Sequence, residues 1–384
     1  MKWLFITYPL TLIVLFIYSF TQVDLNLTLS SNPLYLALQK NLTFIGYFNR
    51  PISSLIFILI ILSLTIHYIF LIRAAVKNQV SKSEITKLIF ITAFILLLSY
   101  PAFSHDIFNY IFDARIIAKY GQNPYQFTAL DFPSDTWTRF MHWTHRTYPY
   151  GPLWVISSLP FYIIGLGKFV LTLILFKLLF LLSYIGSIVY IRKISSIIKI
   201  EPINQSLVFF AFNPLIIIET QVSPHNEILM LFLTLIGLFF FLKGKIYKSL
   251  LMMIAAGLIK FISFIYIPIL LVLNHKKLSS EKFILLLISV TSLVLIPVIL
   301  SRELYPWYMI TIIGLGSLLK KSLLLKLIII ALSLGTLVRY IPYLYSGEYT
   351  QITANWQLIL TCLPVIIAII SYFHLQRHNK SFLS

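Results

Sequence analysis

Apolar runs long enough to cross a lipid bilayer, roughly 17–25 residues each, recur along this chain from its first residues to its last. That recurrence constrains the fold most. Backbone N–H and C=O groups inside hydrocarbon must find partners within the structure, and a helix satisfies them segment by segment. Charged residues make up only 11% of the 384, against about 25% in soluble domains. So few charges cannot cover a water-facing surface. The expectation is a single all-α domain over residues 1–384, a polytopic transmembrane helix bundle with no separate soluble domain.

Spans are expected at about 3–20, 51–72, 88–103, 168–191, 205–220, 227–242, 249–260, 262–273, 283–300, 306–319, 322–340 and 355–374, about twelve in all. The first, after Met1-Lys2-Trp3, has no convincing small-residue cleavage site and reads as a retained span rather than a signal peptide. The formal charge is +18. Its Lys and Arg residues are dispersed between apolar runs rather than striped along a face, which argues for membrane topology and against nucleic acid. Most of the basic residues flank the cytoplasmic ends of the spans if both termini are cytoplasmic. The acids divide the other way. Only Glu84, Glu201 and Glu281 fall inside, while Asp24, Asp106, Asp113, Asp131, Asp135, Glu219, Glu227, Glu303 and Glu348 fall outside. Acids contribute little to topology, so this second bias points to a site on the outer face.

The longest hydrophilic stretch, 104–151, is then extracytoplasmic and carries short helices. Residues 152–165 read as a re-entrant or interfacial helix, which keeps the number of crossings consistent. The single cysteine, Cys362, excludes a disulfide or a thiolate metal site within the chain.

Four constellations carry chemistry. In Ser104 to Arg115, a helix would put Asp106, Tyr110 and Asp113 on one face, with His105, Asn109 and Phe112 beside it. A carboxylate at a membrane–water boundary suits a general base; His105 would tune it or help hold a divalent cation. The competing reading makes Asp106 a helix cap. Next come Gly121-Gln122-Asn123-Pro124-Tyr125 and Tyr148-Pro149-Tyr150-Gly151-Pro152, turn formers with Trp137, His142, Trp143 and His145 between them. Such aromatics anchor to headgroups or form a carbohydrate platform. Third, Asn213-Pro214-Leu215 leads to Glu219 and to His225-Asn226-Glu227, ionisable groups where one span ends and the next begins. Fourth, Lys260, Arg302 and Arg339 are outer cations suited to a phosphate, or to snorkelling without a partner. Lys177 sits within an apolar run.

Taken in order, Ser-His-Asp-(x)3-Tyr-(x)4-Arg-(x)5-Gly-Gln-Asn-Pro-Tyr at 104–125, Tyr150-Gly151-Pro152-Leu153, Asn213-Pro214-Leu215 with Glu219 and His225-Asn226-Glu227, and Pro306-Trp307-Tyr308 resemble the GT-C glycosyltransferases. Within these the resemblance is to the polyprenol-phosphate-mannose-dependent mannosyltransferases and their bacterial and archaeal relatives. Glu227 stands where those relatives more often have Asp. The resemblance implies transfer of a sugar from a polyprenyl-phosphate-linked donor to an extracytoplasmic glycan or glycolipid, with inversion. Mannose is the first candidate, another hexose or a pentose the next. By motif position it implies Asp106 as base supported by Asp113 and His105. Tyr110, Arg115, Asn123, Tyr125, Tyr150, Glu219, His225, Asn226, Glu227, Lys260, Arg302 and Trp307 would contact substrate, with Lys260 and Arg302 toward the phosphate. The residues name no certain cofactor, and the acids and histidines suit either a base or a divalent cation. The reading from another class is a transporter or lipid-linked glycan flippase, which would place ionisable groups nearer the midplane and show repeat symmetry.

Overall fold

The computed structural model describes residues 3–274, 278–301 and 303–377. Over these residues the chain is helical, without a strand. The first helices are α1 (Leu4–Ser19), α2 (Pro33–Thr43), α3 (Arg50–Val76), α4 (Lys82–Leu96), α5 (Asp106–Tyr120), α6 (Pro152–Ile164) and α7 (Phe169–Ile197). Then come α8 (Ile203–Ala211), α9 (Pro214–Ile217), α10 (Glu227–Leu242), α11 (Ile246–Gly257) and α12 (Tyr266–Leu273). The last are α13 (Ser280–Ser301), α14 (Met309–Gly316), α15 (Leu323–Val338), α16 (Tyr340–Ser346) and α17 (Gln351–Arg377).

Six helical stretches are long and apolar enough to cross a membrane: Leu4–Gln22, Arg50–Val76, Phe169–Ile197, Ser280–Ser301, Leu323–Ser346 and Gln351–His374. A seventh results if α8 and the stretch Pro214–Val222, bent by 53° at Phe212-Asn213, count as one. The remaining expected spans coincide with shorter helices. A helix of 16 residues such as α10 reaches roughly 24 Å, short of the ~30 Å hydrocarbon core. Length and composition thus mark six of the expected spans, or seven with the bent pair, and the shorter helices do not meet that test. The expected helix at 152–165 is present as α6, with Pro152 in its first turn.

Lipid explains the surface. On α3, Phe57, Ile60, Leu64 and Leu71 are buried, yet Leu55, Ile58, Leu62 and Ile66 on the other side are exposed. A helix apolar all round belongs in a core or in a bilayer.

The two ends of the bundle differ. Lys193 lies over the Phe239 ring, joining the end of α7 to the end of α10. Nearby, Asn204 at the start of α8 donates to the Val80 carbonyl before α4, 2.9 Å away. This end holds Lys82, Lys87, Arg192, Lys193 and Lys243 around two open grooves of about 550 and 510 Å³. Opposite lie the start of α10, the segment after α4 and the start of α5, where Glu227, Glu219 and Asp106 sit.

Lys177 has a structural explanation. It projects from α7 to donate to the Leu96 carbonyl at 2.9 Å, to Ser99 Oγ at 2.7 Å and to the Ser99 carbonyl. The buried Lys177 amine thus binds carbonyls at and just beyond the C-terminus of α4.

Candidate active site

Helix breaks assemble the site. Asn213 caps α9, its Oδ1 accepting from Leu215 N at 3.0 Å while its Nδ2 donates to Ser333 Oγ at 3.0 Å. The chain then widens into a π turn, Ile218–Val222, that carries Glu219. Such turns re-aim a side chain within a helix. The following segment docks on the connection between α4 and α5, because Phe103 N donates to Ser223 Oγ at 2.8 Å. His225 N reaches back to the Glu219 carbonyl at 3.1 Å.

This fold puts His225 between two carboxylates. Its Nδ1 lies 3.1 Å from Glu219 Oε2 and its Nε2 lies 3.7 Å from Asp106 Oδ2. Ser104 Oγ is 3.1 Å from the same Nε2. Burial alone would lower the His225 pKa; Glu219 first and Asp106 next outweigh it and raise it. Tyr340 Oη donates to Glu219 Oε1 at 2.9 Å. The His225 ring stacks on Trp307 at 4.2 Å, and Trp307 stacks in turn on Tyr305 at 4.6 Å. Trp307 therefore fixes the imidazole plane rather than offering a bare face.

Two residues further on, Glu227 opens α10 and pairs with Lys260. The Lys260 ammonium also faces the Tyr150 and Tyr308 rings at 5.6 and 5.9 Å. The Tyr-Gly-Pro element makes this possible. Gly151 N donates to the Ile259 carbonyl at 3.1 Å and Leu153 N to the Leu258 carbonyl at 3.0 Å. A Cβ on Gly151 would lie 2.1 Å from the Leu258 carbonyl oxygen, so only glycine permits the approach. Tyr148 Oη buttresses the turn by donating to the Gly151 carbonyl at 2.7 Å. Tyr110 packs edge-on to Tyr150 at 5.4 Å.

Several buried polar atoms here have no hydrogen-bond partner: Asn226 Oδ1 and Nδ2, and Glu227 Oε2. Buried polar groups are normally satisfied, so unpaired ones in a cluster of charges are candidates to hydrogen-bond a substrate.

Asp106 belongs to this cluster, 3.7 Å from His225; most of the other candidates are engaged elsewhere. Asp106 is not the cap of α5: it sits in the first turn, and Ser104 Oγ accepts from its N–H at 3.2 Å. Asp113 is buried two turns on; burial first and the Asp106 charge next hold its carboxyl well above the usual range. Arg115 is engaged by Asp135 at 2.6 Å, by Tyr162 Oη at 3.0 Å and by the Trp137 ring at 3.9 Å. Asn123 Oδ1 accepts from Tyr125 N at 3.0 Å, and Tyr125 Oη donates to the Tyr150 carbonyl at 2.8 Å. These three hold the long loop in shape. His105 stacks on His142 at 3.6 Å, and burial followed by the His142 charge lowers its pKa to about 3. Arg339 pairs with Glu303 and donates to the Leu304 carbonyl at 2.5 Å. Arg302 lies outside the described residues. Sequence reasoning left out Tyr340 and Ser104. Ser104 was legible as the serine of Ser-His-Asp; Tyr340 closes an apolar run and carried no signal.

A buried carboxylate–histidine–carboxylate array and a carboxylate–lysine pair thus gather in a chain that has membrane-length apolar helices. The chain belongs to a GT-C-type mannosyltransferase family, since the family model for alpha-(1->6)-mannopyranosyltransferase, N-terminal domain, matches residues 19–276. It is thus a glycosyltransferase, acting between a sugar donor and an acceptor. No curated protein and no solved structure matches it significantly.

Proposed function

We propose that this protein transfers mannose from a polyprenyl-phosphate-linked donor to a glycan or glycolipid acceptor on the extracytoplasmic side of the cell membrane, with inversion at the anomeric carbon. The observation that carries the reading is the convergence of Asp106, Glu219, His225, Glu227 and Lys260 from three separate stretches of chain, with open hydrogen-bonding atoms among them.

In the proposed reaction the acceptor hydroxyl oxygen bonds to the anomeric carbon from one side while the bond from that carbon to the phosphate oxygen breaks on the other. The hydroxyl proton passes to Asp106, which His225 positions, and polyprenyl phosphate leaves with its negative charge. Lys260 meets that growing charge by exchanging Glu227 for phosphate; Arg302 is a second candidate for the same role. Asn226 and Glu227 bind sugar hydroxyls. The short helices complete the twelve crossings together with the long ones, and the basic end of the bundle faces the cytoplasm with both termini. A donor resident in the membrane fits a chain with no glycine-rich nucleotide fingerprint.

The test uses membranes containing the protein, labelled polyprenyl-phosphate-mannose and candidate acceptors. Asp106→Asn and Asp106→Ala should lower transfer by about 100-fold or more. Wild-type rates in both variants would remove Asp106 as base, and transfer from a nucleotide sugar without lipid would sink the donor assignment.

A further inference from the structure

A second constellation stands apart from the carboxylate–histidine cluster. Asp24, in the turn after α1, meets His105, just before α5, and His142, in the long loop. One ligand atom from each lies within 4.8 Å of the others. The two imidazoles stack at 3.6 Å with their planes 18° apart. His105 Nε2 is buried with no hydrogen-bond partner. The third member is held in place independently. Asp24 N donates to the hydroxyl of the buried Tyr100 at 3.3 Å, and Asp24 Oδ1 accepts from Asn26 N at 2.8 Å. The other carboxylate oxygen remains available.

We propose that Asp24, His105 and His142 bind a divalent transition-metal ion of the zinc type, which clamps the loop after the first span and the long loop to the start of α5. The donor set decides the class of ion. Two imidazole nitrogens and one carboxylate oxygen suit zinc, with water completing a tetrahedron, whereas calcium and magnesium take oxygen ligands. Bonds of roughly 2.0–2.2 Å require the three ligand atoms to draw together by about 1 Å and the His142 ring to turn out of its stack on His105, because two nearly parallel imidazoles cannot both aim an in-plane lone pair at one ion. His142 is exposed and free to make that movement. The ion would also supply the partner that His105 Nε2 lacks. Because His105 directly precedes Asp106, the clamp fixes the first turn of α5 and with it the Asp106 carboxylate. The ion touches no reacting atom in this reading; its three ligands are positioning residues, and the site does not depend on which sugar is moved.

Metal analysis of the full-length protein in detergent tests this. Zinc should be retained at about one ion per chain after desalting, and Co²⁺ should replace it with visible d–d absorption of tetrahedral strength. His142→Ala and Asp24→Asn should abolish both signals while the circular dichroism stays helical. They should also raise hydrogen exchange across residues 104–110. Wild-type protein that holds neither zinc nor Co²⁺, or variants that hold them as the wild type does, would overturn the proposal. So would Mg²⁺ or Mn²⁺ binding in the absence of zinc binding. None of these readouts requires transfer activity, so the metal site and the transferase reading fail separately.

Discussion

Gly151→Ala is the most informative single perturbation, because the smallest change in side chain strikes the joint between two parts of the site. The added Cβ would lie 2.1 Å from the Leu258 carbonyl oxygen, where real contacts do not fall below 3.0 Å. The backbone at Gly151 must therefore retreat by roughly 1 Å, a displacement that in an active site costs about 100-fold in rate. The retreat also weakens the Gly151–Ile259 and Leu153–Leu258 hydrogen bonds, together about 1–3 kcal/mol. Tyr150 rides on this turn and faces the Lys260 ammonium, so the lysine loses an aromatic neighbour as the turn moves. Transfer of labelled mannose in membranes and the thermal midpoint in detergent read the two effects. Trimming Leu258 to alanine in the same chain should not restore activity, since the clash is with its carbonyl. A Gly151→Ala enzyme at the wild-type rate, or one rescued by Leu258→Ala, would refute the claim that backbone contact at 151 and 258 sets the site.

Asp113→Asn should transfer at close to the wild-type rate, because burial already favours the protonated acid, which the amide replaces in shape. A loss as deep as that of Asp106→Asn would show that Asp113 acts ionised. Lys260→Met should raise the KM for a polyprenyl-phosphate donor by about 10- to 100-fold, the worth of a charge-assisted hydrogen bond. An unchanged KM would remove the lysine from the phosphate. At Asp135, burial would raise the carboxyl, yet hydrogen bonds from Arg115, Tyr120, Trp137 N and Lys119 outweigh it and hold it low. The stability this gives the long loop is full above the unfolded carboxyl pKa of about 3.9 and is lost as pH falls through the lower folded value. Protection factors across residues 115–140 should stay flat from pH 8 to about 5 and fall only in stronger acid, while Asp135→Asn should lower them at neutral pH. Protection that decays between pH 7 and 5 would contradict the sign.

Hydropathy revealed the helical membrane class because a span repeats one property over many residues. Hydropathy does not show where a single apolar run is bent, as the 205–220 run is at Phe212-Asn213. Asn213-Pro214 and Ser223-Pro224 interrupt an apolar stretch, and α10 begins afresh at Glu227. The sequence reading named Asp106, His225, Glu227 and Lys260, which the fold brings together from three stretches of chain. It could not separate residues that face the cluster from those that brace it. Arg115 and Asp106 read alike as polar members of one motif, yet Arg115 is consumed by Asp135 and Trp137. That distinction depends on which way each turn of α5 points, and loop contacts from residues 135–162 decide it. The histidines show the same limit. His105 and His225 both sit beside acids in the sequence, and only the fold assigns one to Glu219 and the other to His142.

The helix breaks account for the position of the site as well. A carboxylate in the middle of an unbroken span would meet only hydrocarbon or the flank of another helix, at a steep desolvation cost. Each acid here instead falls at a discontinuity: Asp106 in the first turn of α5, Glu219 in a π turn and Glu227 in the first turn of α10. At the two helix starts, free N–H groups and the positive end of the helix dipole favour negative charge. The same breaks free the chain to bring Lys260 and the 150–153 turn alongside. Straightening them, as Pro224→Ala would tend to do, should cost activity more than stability, because Ser223 and His225 would lose their hold on Phe103 N and the Glu219 carbonyl. A Pro224→Ala protein with lowered thermal midpoint but full transfer would show that the breaks serve packing alone.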